Sequence, residues 1–271
     1  MCSIVFPLFL PKVLSRKCRL CDTAGKLVKA HVIPEAFFRV LRVDGEPPIL
    51  LSNTANAFPK RSPTGVYDKD ILCDQCEPKF DQVDDYGTRV LLNCFHEYFH
   101  PVKIGDRIVF QGTNVDPQLL LRFLVVTLWR ASVSTHPYYK RVSMGPFEWL
   151  AKQVIFNPDD PIPQEFSAVL SRYTRGDEHL DAATVLMDPL REKWGGVNTY
   201  RLYLGDVVAY VKVDSRPFPK PFYDFSLPTQ TPVTLFTRDF SKSKEFASME
   251  KIVKQAYRHQ ESVRFAKLKL T

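Results

Sequence analysis

Residues 17–39, KCRLCDTAGKLVKAHVIPEAFFR, place Cys18 and Cys21 ahead of an apolar run that ends at His31-Val32-Ile33-Pro34. Two residues between cysteines let both sulfurs face one ion from a tight turn. A matching pair, Cys73 and Cys76, stands in ILCDQCEPKFD at residues 71–81. There Pro78 falls in the first turn of a predicted helix, a position where proline is tolerated. Thiolates at a helix N-terminus are favoured by the amide dipoles. Cys18, Cys21, Cys73 and Cys76 therefore read as a four-thiolate site for structural zinc, the alternative being two unrelated thiol pairs. A thioredoxin-type redox pair does not fit, because neither Cys-x-x-Cys has a strand–helix context.

Working outward, the chain has 271 residues, 45% hydrophobic and 25% charged, the balance of a globular protein rather than a disordered one. A chain this long has no need of disulfide staples. The apolar opening MCSIVFPLFLPK is interrupted by Pro7 and Pro11 and has no preceding positive charge, which makes it a poor signal peptide and too short a span. These features lead to the expectation of a cytoplasmic protein without a membrane partner. The formal charge is +7, of which +5 lies in residues 242–271. That segment carries Lys242, Lys244, Lys251, Lys254, Arg258, Arg264, Lys267 and Lys269 against Glu245, Glu250 and Glu261. It reads as a basic terminal helix, either an arm for nucleic acid or a solvated positive face.

Between these ends the pattern predicts an α+β protein. Residues 1–100 form a zinc module and residues 101–271 a helical and β segment closed by the basic helix. A helix is expected from about Cys76 through Phe99, with Gly87 its weak point. Asp116-Pro117 marks the start of a buried helix, as N-cap and first helical residue. GPFEWLAKQVIF and EFSAVLSRYT suggest two shorter helices. ATVLMDP, NTYRLYLGDVVAYVKVD and TPVTLF then read as strands of a small antiparallel sheet, the second folding back at Gly205-Asp206. His96 and His100 have a helical i, i+4 spacing, but Phe95, Tyr98 and Phe99 around them favour aromatic packing. Arg130, in an otherwise apolar helix, either reaches the surface or pairs with a buried acid.

The order of Cys-x-x-Cys, hairpin with His31-Val32-Ile33-Pro34, long insert, Cys-x-x-Cys and helix resembles the treble-clef form of the HNH-type, or ββα-metal, endonucleases. The resemblance covers roughly residues 16–90. It implies that His31 is the general base that activates water. The family's acidic residue before that histidine is Ala30 here, and its asparagine ahead of the third cysteine is Asp68. After the fourth cysteine the polar positions are Glu77 and Asp81, one helical turn apart. Carboxylates there suit Mg2+ or Mn2+, hard cations that take oxygen ligands. Acidic residues in a first helical turn also stabilise the helix dipole with no other role.

The resemblance thus implies a metal-dependent nuclease acting on DNA or RNA, with His31 and Asp68 catalytic and Glu77 and Asp81 holding a catalytic ion. Nucleic acid is the implied partner. The alternative is a non-catalytic zinc-stabilised subunit that binds nucleic acid or other protein subunits in a larger assembly.

Overall fold

In the computed structural model, residues 17–51, 59–174, 186–220 and 222–268 are described, residues 257–268 by their backbone alone. The apolar opening 1–12, the start of ATVLMDP and the side chains of Arg258, Arg264, Lys267 and Lys269 lie outside the described residues.

The first cysteine pair sits in a tight turn closed by Cys18 N to Thr23 O at 3.0 Å, with Asp22 in the left-handed region at φ 59°. The chain then forms β1 (Leu27–His31), the short helix α1 (Ala36–Arg39), β2 (Ile49–Leu50), β3 (Lys60–Arg61) and β4 (Tyr67–Cys73). β1 and β4 pair antiparallel, with Ala30 opposite Asp68 and His31 opposite Tyr67, and the ladder bulges between Val28 and Ala30. β2 and β3 form a separate two-residue ladder within the long insert.

Beyond Cys76 the single expected helix is divided. A 3-10 turn over Glu77–Phe80 leads into α2 (Asp81–Thr88), a π-helical turn over Arg89–Asn93 and α3 (Phe95–Tyr98). Gly87, the expected weak point, lies within α2, and the backbone leaves the helical region instead at Cys94, with φ −121° and ψ 28°. A Cβ at Gly87 would lie 2.3 Å from the ring of Phe123, so the absent side chain is what lets the next long helix approach.

A hairpin of β5 (His100–Ile104) and β6 (Arg107–Gly112) follows, then α4 (Pro117–Val133) and α5 (Glu148–Phe156). The Asp116 carboxylate caps α4 by accepting from Gln118 N at 2.9 Å and Leu119 N at 3.0 Å. The remaining elements are β7 (Phe166–Thr174), β8 (Leu190–Trp194), β9 (Val197–Leu204), β10 (Val207–Val213), β11 (Val233–Asp239) and α6 (Lys244–Leu268). His100 lies on β5, so it does not share a helix with His96, which packs edge-on against Phe95 and Phe110.

Two expectations about the second half are corrected. EFSAVLSRYT forms not a helix but the whole of β7, a central strand between β10 and β11. A short apolar run buried on both faces loses the alternation that distinguishes strand from helix. The sheet is also neither small nor wholly antiparallel. It has seven strands in the order β5-β6-β11-β7-β10-β9-β8, and β11 runs parallel to β7 with Leu235 opposite Leu170. By pairing on its other edge with β6, β11 joins the early hairpin to the later strands.

One continuous apolar cluster runs from Cys18 and Phe37 through Phe123 and Trp129 of α4 to Leu170, Ala209 and Leu235 of the sheet. Arg172 is buried in β7 because Asp206 accepts its Nε at 2.5 Å and its guanidinium lies 4.1 Å from the Phe95 ring and 4.7 Å from that of Phe110. On the other face of the sheet, Tyr173, Tyr203, Val208 and Tyr210 form a second cluster. The start of α6 is held nearby by Glu245, which accepts from Arg201 and from Tyr203 Oη. The close fit at Gly87 gives a direct stability test. Gly87→Ala should destabilise the protein by about 1–3 kcal/mol despite alanine's better helix propensity, as overpacking does. Thermal unfolding followed by circular dichroism measures it, and an unchanged or raised midpoint would contradict the packing described.

Candidate metal centre and its surroundings

The tight turn and the end of β4 bring Cys18, Cys21, Cys73 and Cys76 together, with all four sulfurs within 4.8 Å of one another. Cys21 and Cys73 Sγ lie 3.9 Å apart. Tetrahedral coordination at a Zn–S distance of about 2.3 Å requires sulfurs about 3.8 Å apart. The donor set and its spacing could therefore hold a metal such as zinc. The backbone supports that role: Cys73 N donates to Cys18 Sγ at 3.4 Å, and Cys76 N closes a turn onto Cys73 O at 3.0 Å. Bonds from the Thr23 hydroxyl and amide hold the Cys21 thiol down at about 6, so it is a thiolate at neutral pH. Burial pushes the Cys76 thiol up, and a bound cation opposes that shift.

His31 ends β1 and is half-buried. Its Nε2 lies 2.8 Å from the Thr64 carbonyl oxygen, which can only accept, so Nε2 carries the proton and the neutral ring keeps its lone pair on Nδ1. Burial lowers its pKa below the usual 6.5, against the opposing influence of that bond and of Glu35; Lys29 and Arg130 push it lower still. The ring is therefore neutral at pH 7, and its edge meets Tyr67 at 5.9 Å between centroids.

Asp68 takes a different place. Side chains alternate across a ladder, so Ala30 and Asp68 point inward while His31 and Tyr67 occupy the outer face. The buried Asp68 carboxylate accepts from Asp70 N at 2.8 Å, Ser134 Oγ at 2.8 Å, Thr135 N at 2.7 Å and Thr135 Oγ1 at 3.1 Å. It thereby secures the loop that follows α4. Burial alone would raise its pKa, but these bonds outweigh it and hold the carboxyl below the usual range.

Glu77 is half-buried at the head of the 3-10 turn and Asp81 is exposed. Burial and the neighbouring Asp81 raise the Glu77 pKa, Arg130 opposes them, and Asp84 adds to the rise. Asp84 is engaged by Arg130, whose two terminal nitrogens each lie 2.6 Å from a carboxylate oxygen, and whose guanidinium sits over Phe80. Among the described residues, the four cysteines are the only group of three or more His, Cys, Asp or Glu with ligand atoms this close. His31, Asp68, Glu77 and Asp81 are not drawn together in that way.

Arg130 is thus the buried partner that its position in an apolar helix allows. Thr64, which orients His31 through a backbone atom, has no signature in sequence. Along the basic terminal segment, Lys242 faces Asp239 at 3.3 Å and Lys254 faces Glu250 at 2.6 Å, so part of its charge is matched locally. No described helix is long and apolar enough to cross a membrane.

The pH dependence of Asp68 follows from its direction of shift. A carboxylate held below its unfolded value contributes stability that is fully present above about pH 4 and lost as pH falls through the folded value. Asp68→Asn should lose about 2 kcal/mol at pH 7, the worth of charge-assisted bonds. The gap from wild type should narrow below pH 4. Thermal unfolding at pH 7 and pH 3 measures both, and an equal deficit at the two pH values would contradict the carboxylate's role.

Comparison of the chain with protein-family profiles, with curated proteins and with solved structures finds no match.

Proposed function

We propose that the protein is a metal-dependent nuclease that hydrolyses phosphodiester bonds in DNA or RNA, with His31 as general base. The observation that carries this reading is the orientation of His31. A base needs an unprotonated nitrogen, a fixed tautomer and a partner that holds the ring. Thr64 O fixes the tautomer from Nε2, burial keeps the ring neutral, and Nδ1 is left to accept a proton from water. The order of tight cysteine turn, β1–β4 ladder, second cysteine pair and helical segment supports reading residues 16–90 as a treble clef on zinc, with the chemistry on the ladder beside it.

Glu77 and Asp81 are the residues that would hold Mg2+ or Mn2+. Two adjacent carboxylates, with Asp81 raising the cost of ionising Glu77, suit a divalent ion that keeps several waters and takes substrate oxygens as further ligands. Bound there, such an ion would supply stabilisation of the charge on the leaving oxygen. In the hydrolysis itself, water oxygen attacks phosphorus, its proton passes to His31 Nδ1, and the phosphorus–oxygen bond to the departing nucleotide breaks. Asp68 supports β4 from behind.

One observation favours a second reading, a non-catalytic zinc-stabilised subunit that binds nucleic acid or protein. Asp68 and the neighbouring Asp84 are committed to internal partners, so an ion held by Glu77 and Asp81 would have no further carboxylate from these two. Incubation with plasmid DNA and with RNA, with Mg2+ or Mn2+, separates the two. Wild type should cleave, and His31→Ala should be slower by about 100-fold or more. Because the base works when neutral, the rate should rise with pH and level off with a midpoint below 6.5, the direction in which burial shifts His31. Equal cleavage by both proteins, or binding with no cleavage by wild type, would overturn His31 as the base.

A further inference from the structure

The outer face of the β1–β4 ladder carries more than the histidine. The bulge between Val28 and Ala30 leaves Lys29 unpaired in the register, and such bulges re-aim a side chain. Lys29 Nζ stands 4.0 Å from the centroid of the Tyr67 ring and donates to Thr64 Oγ1 at 3.1 Å. Lys69, two residues along β4 from Tyr67 and on the same face, places its ammonium 5.9 Å from that ring. Thr64 therefore tethers two functional groups at once, the Lys29 ammonium through its hydroxyl and the His31 ring through its carbonyl.

The contacts that the two ammonium groups make among the described residues are with neutral groups. An aromatic face and a hydroxyl satisfy Lys29 in part and leave it N–H donors to spare. Neither lysine has a carboxylate within ion-pair distance among the described residues, whereas Arg39 nearby is matched to Glu35 at 3.2 Å and Arg61 to Glu46 at 2.9 Å. Both lysines are exposed, and Lys29 lies within electrostatic reach of the half-buried His31. Uncompensated, pre-positioned cations on an open ladder face recognise an anion, and a strand of linked phosphates can meet both.

We propose that Lys29 and Lys69 form a phosphodiester-binding subsite on this face, seating a DNA or RNA strand with a phosphate beside His31. The inference rests on the nuclease reading for the role of His31, but binding can be measured without cleavage. Fluorescence anisotropy with labelled single- and double-stranded 20-mers, without added Mg2+ or Mn2+, compares wild type with Lys29→Gln/Lys69→Gln over a range of salt. A control, Lys103→Gln/Arg107→Gln, removes two exposed charges from the β5–β6 hairpin.

The ladder variant should bind at least about tenfold more weakly and show a salt slope smaller by about 1.5, the mark of two lost phosphate contacts. The control should change affinity less than about twofold. Unchanged affinity and slope in the ladder variant would overturn the subsite even if wild type cleaves nucleic acid in a His31-dependent way. Absence of oligonucleotide binding by wild type would also overturn it and leave the face to an acidic protein. Loss of binding in the ladder variant with no cleavage by wild type would uphold the subsite while removing the nuclease reading.

Discussion

Four sulfurs within 4.8 Å of one another tie residue 18 to residue 76, and the placement of everything between them depends on that closure. The 51 residues that separate Cys21 from Cys73 include a long insert whose described residues carry only the two-residue strands β2 and β3. Bringing its ends together carries an entropic cost that a short ladder and one small helix offset poorly. A metal ion on the four thiolates would contribute that closure directly, because the binding free energy of a structural metal is folding free energy. The β1–β4 ladder then starts from a fixed point, and His31 comes to the far end of it.

The cluster does not act alone. Three polar links fasten the module to the helices beneath it: Arg130 to Asp84, Ser134 and Thr135 to Asp68, and Lys152 to Asp22 at 3.1 Å. Two of the three come from the C-terminal end of α4 and the loop beyond it. They hold α2 and β4 respectively, the elements that carry the acidic residues and one edge of the ladder. The buried arginine and aspartate would each be costly unpaired; placed so, they fix geometry. The period-2 alternation of the ladder divides labour in the same way. Ala30 and Asp68 face inward to secure the structure, and His31, Tyr67, Lys29 and Lys69 face outward.

Much of this was legible in the sequence where a single short stretch determines the outcome. The paired Cys-x-x-Cys spacing, the Asp116-Pro117 start of α4 and the Gly205-Asp206 turn between β9 and β10 are local and were read correctly. What escaped is non-local. β7 lacks alternation because β10 and β11 cover its edges and the core covers its faces, so its composition suits a buried helix equally well. The parallel pairing of β11 with β7 joins residues 65 positions apart and leaves no mark in either strand. The resemblance singles out Asp68 by its distance from Cys73, whereas its hydrogen-bond partners Ser134 and Thr135 stand more than 60 residues away. The tether of His31 is a backbone oxygen, which no side-chain pattern can announce.

The claim on which the rest stands is that one metal ion joins both cysteine pairs. Zinc K-edge X-ray absorption of the protein purified without chelator, in zinc-containing medium, tests it directly. Four sulfur scatterers at about 2.3 Å are predicted, the shell of a tetrathiolate site. A shell of nitrogen and oxygen ligands, a mixed shell with two sulfurs, or protein that folds with no bound metal would contradict it.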